Sequence, residues 1–160
     1  GYGYQEKDHQ LNFFESMRAT FKLLVIAIMA LFIRADITVA QCNAEELANG
    51  CIPKLQDGFT FLKTFKVDGQ GGAKTKVEYS YVFSKDTQYF LNICNPGNDT
   101  DGIVVTMYDS KRQMVSTNFA NGKYYSGLVY PCNATGIYYI TFKFQNSASN
   151  CGGSVLGFKR

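Results

Sequence analysis

Apolar and polar residues alternate in short runs from residue 59 to the end of the chain. The run VEYSYVF at Val77–Phe83 places Val77, Tyr79, Tyr81 and Phe83 on one face of a strand. Similar runs predict strands at residues 59–67, 88–94, 103–108, 114–117, 128–130, 137–144 and 155–158. Because turn residues and no helical periodicity separate them, the pattern predicts an all-β, antiparallel, jelly-roll-like β-sandwich of about seven or eight strands.

A single helical turn is predicted ahead of the strands. Asn43 is suited to be its N-cap, Glu45 and Glu46 follow in the first turn, and Asn49-Gly50 is a stop signal.

A leader pattern begins at Met17 rather than at residue 1. A short basic stretch precedes the eleven apolar residues Leu23–Ile33, and small residues end at Ala40. The apolar run is shorter than the ~20 residues that span a bilayer, and a buried core helix is the alternative. We therefore predict a signal-peptide helix at 17–40, an upstream segment at 1–16 outside the native protein, an N-terminal segment at 41–58 with the helical turn, and a sandwich domain at 59–160. This organisation predicts a secreted protein, extracellular or periplasmic, with no membrane span after cleavage.

The composition of residues 41–160 excludes several classes of function. It holds 12 Lys and Arg against 9 Asp and Glu, and its lysines are too scattered to favour nucleic-acid binding. His9 is the single histidine, so the predicted mature chain lacks the usual general base and the commonest zinc ligand. We expect no enzymatic activity and no cofactor, with calcium as the one exception considered below.

Three segments carry a resemblance to a known family. They are YSYVFSKDTQYFLNI, GIVVTMYDSKRQMVSTN and YPCNATGIYYITF, within residues 77–158. This part of the chain resembles the bacterial pre-peptidase C-terminal (PPC) domain and its jelly-roll relatives, and the last ten residues are similar to small secreted proteins of Bacteroidota-like bacteria. The resemblance implies a secreted, non-catalytic module of the kind often attached to exported enzymes.

Five cysteines lie in the predicted mature chain, and export favours disulfides. Strand alternation places Cys94 and Cys151 at one end of the sandwich and Cys132 at the other. We therefore expect a Cys94–Cys151 disulfide and a Cys42–Cys51 disulfide across the helical turn. Cys132 is then a free thiol, or it pairs with Cys42 or Cys51 instead.

Two loops contain candidate binding residues. Asp99 and Asp101 offer oxygen ligands for calcium, although a polar turn between strands is the simpler interpretation because the EF-hand spacing is missing. Tyr124 and Tyr125 follow the turn dipeptide Asn121-Gly122 and are candidates for stacking on a sugar or anchoring a protein. The alternative is that one of the two tyrosines belongs to the core, because neighbouring strand residues face opposite sides.

These observations favour a secreted, non-catalytic binding module that recognises an extracellular glycan or a cell-surface protein. The alternative is a structural subunit of an extracellular assembly or fibre, with self-association through strand edges and an unpaired Cys132.

Overall fold

The computed structural model describes residues 41–97, 102–145 and 147–160, together with Lys22. The chain divides into two units, residues 1–38 and 39–160, and all that follows concerns the second. The predicted signal peptide at 17–40 and the upstream segment at 1–16 lie outside the described residues, apart from Lys22. No helix among the described residues is long and apolar enough to cross a membrane.

One α-helix and ten strands make up the described residues of the second unit. The helix α1 spans Ala44–Gly50, and single turns of 3₁₀ helix lie at Ile52–Lys54 and Gln70–Gly72. The strands are β1 Thr60–Asp68, β2 Lys76–Phe83, β3 Thr87–Cys94, β4 Ile103–Tyr108, β5 Met114–Thr117, β6 Phe119–Ala120, β7 Lys123–Tyr124, β8 Gly127–Cys132, β9 Gly136–Phe144 and β10 Cys151–Lys159.

Two antiparallel four-stranded sheets form a sandwich, which confirms the predicted fold class. Sheet A has the order β1-β10-β3-β8, and sheet B has the order β2-β9-β4-β5. All eight predicted strands are present, and β6 and β7 add a small hairpin at Asn121-Gly122. The largest difference is in β10, which begins at Cys151 rather than at residue 155. Its first residues include two glycines with low strand propensity, and packing beneath α1 overrides that propensity.

The core lies between the sheets and follows the alternation in the sequence. On β2 the polar residues are exposed and the four predicted inward residues are buried or half-buried. Phe65, Phe83 and Phe142 are fully buried at the centre of this core. The Phe83 ring stacks on the Tyr89 ring, with 3.8 Å between their centroids. Many of the described aromatic residues therefore fill the sandwich.

The glycines of β10 explain why α1 rests on the outer face of sheet A. Ala44 and Ala48 occupy one face of the helix and are both buried. A Cβ atom at Gly153 would overlap the backbone of Ala48, and one at Gly157 would lie 2.6 Å from Leu55 Cδ1. Small residues on both surfaces thus allow the N-terminal segment to approach the sheet closely.

Two disulfides fasten this segment to the sheet, and the predicted pairing is wrong. Cys42 bonds to Cys151 and Cys51 bonds to Cys94, with Cα separations of 5.4 and 5.8 Å. Cys94 lies opposite Gly153, two positions along β10 from Cys151, so the two cysteines are diagonal neighbours. Cys42 and Cys51 lie at opposite ends of α1, about 13 Å apart at 1.5 Å per residue, beyond the reach of a disulfide.

Cys132 is the free cysteine and is buried at the other end of the sandwich. The Tyr138 hydroxyl donates a hydrogen bond to the carbonyl of Ala134 at 2.9 Å and lies 3.6 Å from the Cys132 Sγ. Burial raises the pKa of Tyr138, and its hydrogen bond with Tyr130 adds to the shift. A tyrosine bonded to the backbone four residues upstream fixes this corner of the sandwich, as tyrosine corners do.

Candidate functional site

Both disulfides and the longer loops lie at the same end of the sandwich, which we call the disulfide pole. The 69–75 segment and the residues after β9 meet there, because the Gly69 amide donates to the carbonyl of Asn150 at 2.8 Å. The loop after β3 also begins at this end. The hairpin β6–β7 contacts the residues after β9, because the Tyr124 hydroxyl donates a hydrogen bond to the Gln145 carbonyl at 3.4 Å. Loops gathered at one end of a rigid sandwich are a common arrangement for binding surfaces.

The opposite end, which we call the turn pole, has short turns that are closed by their own hydrogen bonds. The Asp109 side chain accepts from the amides of Lys111 and Gln113 at 2.9 and 2.8 Å. The Lys85 amide donates to the Thr135 hydroxyl at 2.9 Å. These turns use their polar groups internally, so the disulfide pole is the more suitable end for a ligand.

A cavity of about 740 Å³ opens at the disulfide pole, between the N-terminal segment and the loops after β3 and β9. Both disulfides contribute to its walls, through Cys42, Cys94 and Cys151. The volume is within the range of about 300–1,000 Å³ that is usual for small-molecule sites. The remaining lining residues are Gln41, Asn43, Glu46, Leu47, Gly50, Lys54, Gly71, Asn95, Pro96, Ala148, Ser149 and Asn150.

The lining is mainly apolar and contains a few neutral groups that both donate and accept hydrogen bonds. Gln41, Asn95 and Asn150 bring side-chain amides, and Ser149 brings a hydroxyl. The charged residues of the described lining, Glu46 and Lys54, have opposite signs. This balance suits a neutral, hydroxyl-rich or amide-rich ligand better than an ion.

The helix that forms one wall is fixed by local contacts as well as by the disulfides. The Asn43 side chain accepts from the Glu46 amide at 3.3 Å and so caps α1, as the sequence predicts. Lys66 on β1 reaches Glu45 at 2.8 Å. The hydrogen bond and charge of Lys66 lower the pKa of Glu45. The ion pair is exposed and adds little stability, so the disulfides and the packing of Ala48 on Gly153 hold α1 in place.

The predicted tyrosines lie at this pole but do not line the cavity. Tyr124 is half-buried in β7 and packs against Phe119, with 4.7 Å between ring centroids. Tyr125 is 51% exposed. The structure therefore assigns Tyr124 a packing role within the hairpin and leaves Tyr125 as an exposed candidate for ligand contact.

A buried asparagine that the sequence analysis did not identify holds this hairpin. Asn118 is 1% exposed. Its Oδ1 accepts from the Val105 amide at 2.8 Å, and its Nδ2 donates to the carbonyls of Ile103 and Tyr125 at 3.1 and 2.9 Å. The side chain thus continues the edge of β4 where β5 ends. A lone Asn after an apolar run was the available signal, but its function depends on the strand pairing.

The calcium candidates Asp99 and Asp101 lie outside the described residues. Within the described ranges, no cluster of three or more His, Cys, Asp or Glu side chains is placed to hold a metal ion. The calcium site therefore stays a prediction.

Comparison with known proteins finds similarity at the level of solved structures. No protein-family model and no curated protein matches the chain. It is similar to the Aeromonas hydrophila PliG, a periplasmic inhibitor of g-type lysozyme, at 14% identity and a TM-score of 0.39, over 64% of this chain and 85% of that one. It is also similar to the pre-peptidase C-terminal domain of a Bacillus anthracis collagenase, at 14% identity and a TM-score of 0.42, over 63% and 89%. The second structure belongs to the family that the sequence resembles.

Proposed function

We propose that this protein is a secreted, non-catalytic recognition module that binds an extracellular glycan in the cavity at the disulfide pole. The observation that carries the proposal is the cavity itself, which is walled by both disulfides and has side-chain amides and a hydroxyl set in a mainly apolar lining. Sugar hydroxyls both donate and accept hydrogen bonds, and such groups are their natural partners.

The construction of the walls supports a binding role. The Cys42–Cys151 and Cys51–Cys94 disulfides hold both ends of α1 against sheet A, and Gly153 lets Ala48 approach the sheet. A wall that is rigid before the ligand arrives reduces the entropy lost on binding.

The chemistry of the lining supports recognition rather than catalysis. Glu46 and Lys54 are the titratable side chains of the described lining, apart from disulfide-bonded cysteines. Glu46 already contacts the cap residue Asn43. No nucleophile with an adjacent general base emerges from this set.

A pair of glycine substitutions tests the proposal. Gly50 lines the cavity, and a Cβ atom added there meets nothing within 4 Å, so Gly50→Phe should fill the cavity without disturbing the fold. Gly136, at the turn pole, is equally open and provides the matched control Gly136→Phe. The purified full chain and both variants would be applied to an array of bacterial, plant and animal glycans.

We expect the wild type and Gly136→Phe to bind the same array glycans. Gly50→Phe should lose at least tenfold in affinity, which corresponds to a loss of about 1.4 kcal/mol in binding free energy. Binding that Gly50→Phe leaves unchanged would contradict the cavity as the site. Absence of binding to any glycan would contradict the carbohydrate assignment and leave a protein as the ligand.

The assembly alternative loses one of its supports. Cys132 is 3% exposed, and its Sγ lies 3.2 Å from the carbonyl of Ala134. An intermolecular disulfide through this thiol would require the turn pole to open.

A further inference from the structure

The edge of sheet B formed by β2 is long and regular. In the described part of the chain, β2 pairs with β9 alone, through eight consecutive residue pairs without a register shift. Its other edge therefore presents backbone amides and carbonyls that can pair with another strand.

The other three sheet edges each carry a feature that discourages pairing. Strand β8 contains Pro131, which lacks an amide hydrogen. The register of β1 shifts between Phe61 and Lys63, and β5 is four residues long and begins beside a register shift. On β2, the charged residues Lys76 and Glu78 lie in the first half, so the second half, Ser80–Phe83, has neither charge nor proline.

The same half of β2 carries exposed apolar surface. Val82 is 59% exposed and Ile137, directly opposite it on β9, is 48% exposed. Two shallow cavities of about 390 and 180 Å³ flank this point, and both are lined by Tyr81 and Val82. The smaller one is also lined by Arg160, so the charge-free part is the strand segment itself. An uncharged edge with exposed apolar side chains and unfilled grooves on both sides is suited to a partner strand.

We propose that the occupant is a second copy of this chain, paired antiparallel along the second half of β2 with the two-fold axis at Tyr81. In that register Ser80 lies opposite Val82 of the second copy, and outward-facing residues stay on one face. The two uncharged halves meet each other, and Lys76 and Glu78 extend toward the turn that holds Lys85 and Asp86 of the second copy. Charge complementarity thus favours this self-pairing.

The interface would be small and the dimer weak. Pairing of a few residues buries less than the ~1,200 Å² of a standard interface. Because β2 runs from the disulfide pole to the turn pole, antiparallel pairing directs the two disulfide poles to opposite ends. If the proposed function holds, the dimer presents two ligand cavities and gains avidity on a repetitive surface, but the pairing itself does not depend on a ligand.

The test compares two lysine substitutions on opposite edges of sheet B. Val82→Lys places a charge one residue from the proposed axis, whereas Met114→Lys places one at a 64% exposed apolar residue on β5. Ile137→Lys is a second variant beside the axis. Sedimentation velocity would be measured on the purified full chain without ligand, up to millimolar concentration. Amide NMR spectra along the same dilution series would map the residues involved.

We expect a reversible dimer whose dissociation constant rises about tenfold in Val82→Lys, since each copy then brings a like charge to the interface, one residue from the axis at Tyr81. Met114→Lys should leave the constant unchanged, and concentration-dependent amide shifts should be confined to residues 79–83 and their neighbours on β9. A wild type that stays monomeric, equal effects of both variants, or shifts located elsewhere would overturn the proposal. Failure of glycan binding alone would leave it intact.

Discussion

Replacement of Asn118 by Ala tests how the hairpin at the disulfide pole is held. The Asn118 side chain makes three hydrogen bonds, all to backbone groups, and it is almost fully buried. Asn118→Ala leaves the Val105 amide and the carbonyls of Ile103 and Tyr125 without this partner. Because β5 ends at Thr117, no strand is in place there to replace the lost bonds.

The expected cost follows from the number of bonds. A net contribution of about 1 kcal/mol for each hydrogen bond gives about 3 kcal/mol in the free energy of unfolding, and more if the backbone groups stay unsolvated. Asn118→Asp should be at least as costly, since it retains an acceptor for Val105 but turns a carboxylate oxygen toward two carbonyls. A domain of this size has about 5–15 kcal/mol of stability, so both variants should still fold.

Urea unfolding under oxidising conditions gives the free energy directly, with the exposed Asn133→Ala as the matched control. The control should change stability by less than about 0.5 kcal/mol. Hydrogen exchange should accelerate in Asn118→Ala at the Val105 amide, which loses its side-chain acceptor. It should also accelerate at the Tyr125 amide, whose 2.8 Å bond to the Asn118 backbone carbonyl opens more often in a loosened hairpin. A cost below about 1 kcal/mol, or unchanged exchange at both amides, would refute the assignment of Asn118 as the residue that holds the hairpin.

Three further predictions concern the scaffold. Tyr138→Phe should reduce the free energy of unfolding by about 1 kcal/mol, measured in urea, because it removes the hydroxyl bonded to the backbone at the turn pole. The pKa of Glu78 is lowered by its hydrogen bond with Arg112, with a smaller contribution from Thr141. The stabilising contribution of the Glu78 carboxylate should therefore be complete above the ordinary carboxylate pKa. It should be lost as the pH falls through the pKa that Glu78 has in the folded protein. Arg112→Gln should cost less than about 1 kcal/mol at neutral pH and less in acid, where only the contact of Arg112 with the Tyr139 ring, at 3.5 Å, is still lost. Equal costs at both pH values would contradict this. Loss of the Cys42–Cys151 disulfide, in the double Ser variant, should cost about 4–5 kcal/mol in the chain-entropy model, and a small calorimetric change would show that α1 holds its place without it.

The sandwich was predictable because its strands bury one face each. Alternation on β2 marked the inward residues, and turn residues such as Asn121-Gly122 marked the breaks. The cap of α1 was equally local, since Asn43 and Glu46 are three residues apart. Local patterns therefore predicted α1 and eight of the ten described strands, most of them to within one or two residues at each end.

The disulfides and the cavity depend on how distant elements meet, which no local pattern contains. The prediction placed Cys94 and Cys151 correctly at one end of the sandwich. It did not foresee that α1 lies on sheet A, which brings Cys42 to Cys151 and Cys51 to Cys94. Gly153 was the available signal, because a glycine inside a strand often marks the close approach of another backbone. The role of Asn118 was equally hard to predict, because its side chain bonds to the edge of β4 beyond the end of β5.

The most direct test of the binding account is a hydrogen-exchange footprint of the wild-type chain with the array glycan that gives the strongest signal. Ligand in the cavity should protect the backbone amides of residues 41–51, 94–97 and 147–151, which contain most of its lining. The turns at residues 84–86 and 109–113 should exchange as before. Protection at the turn pole or along the hairpin alone, with the cavity segments unchanged, would contradict the account.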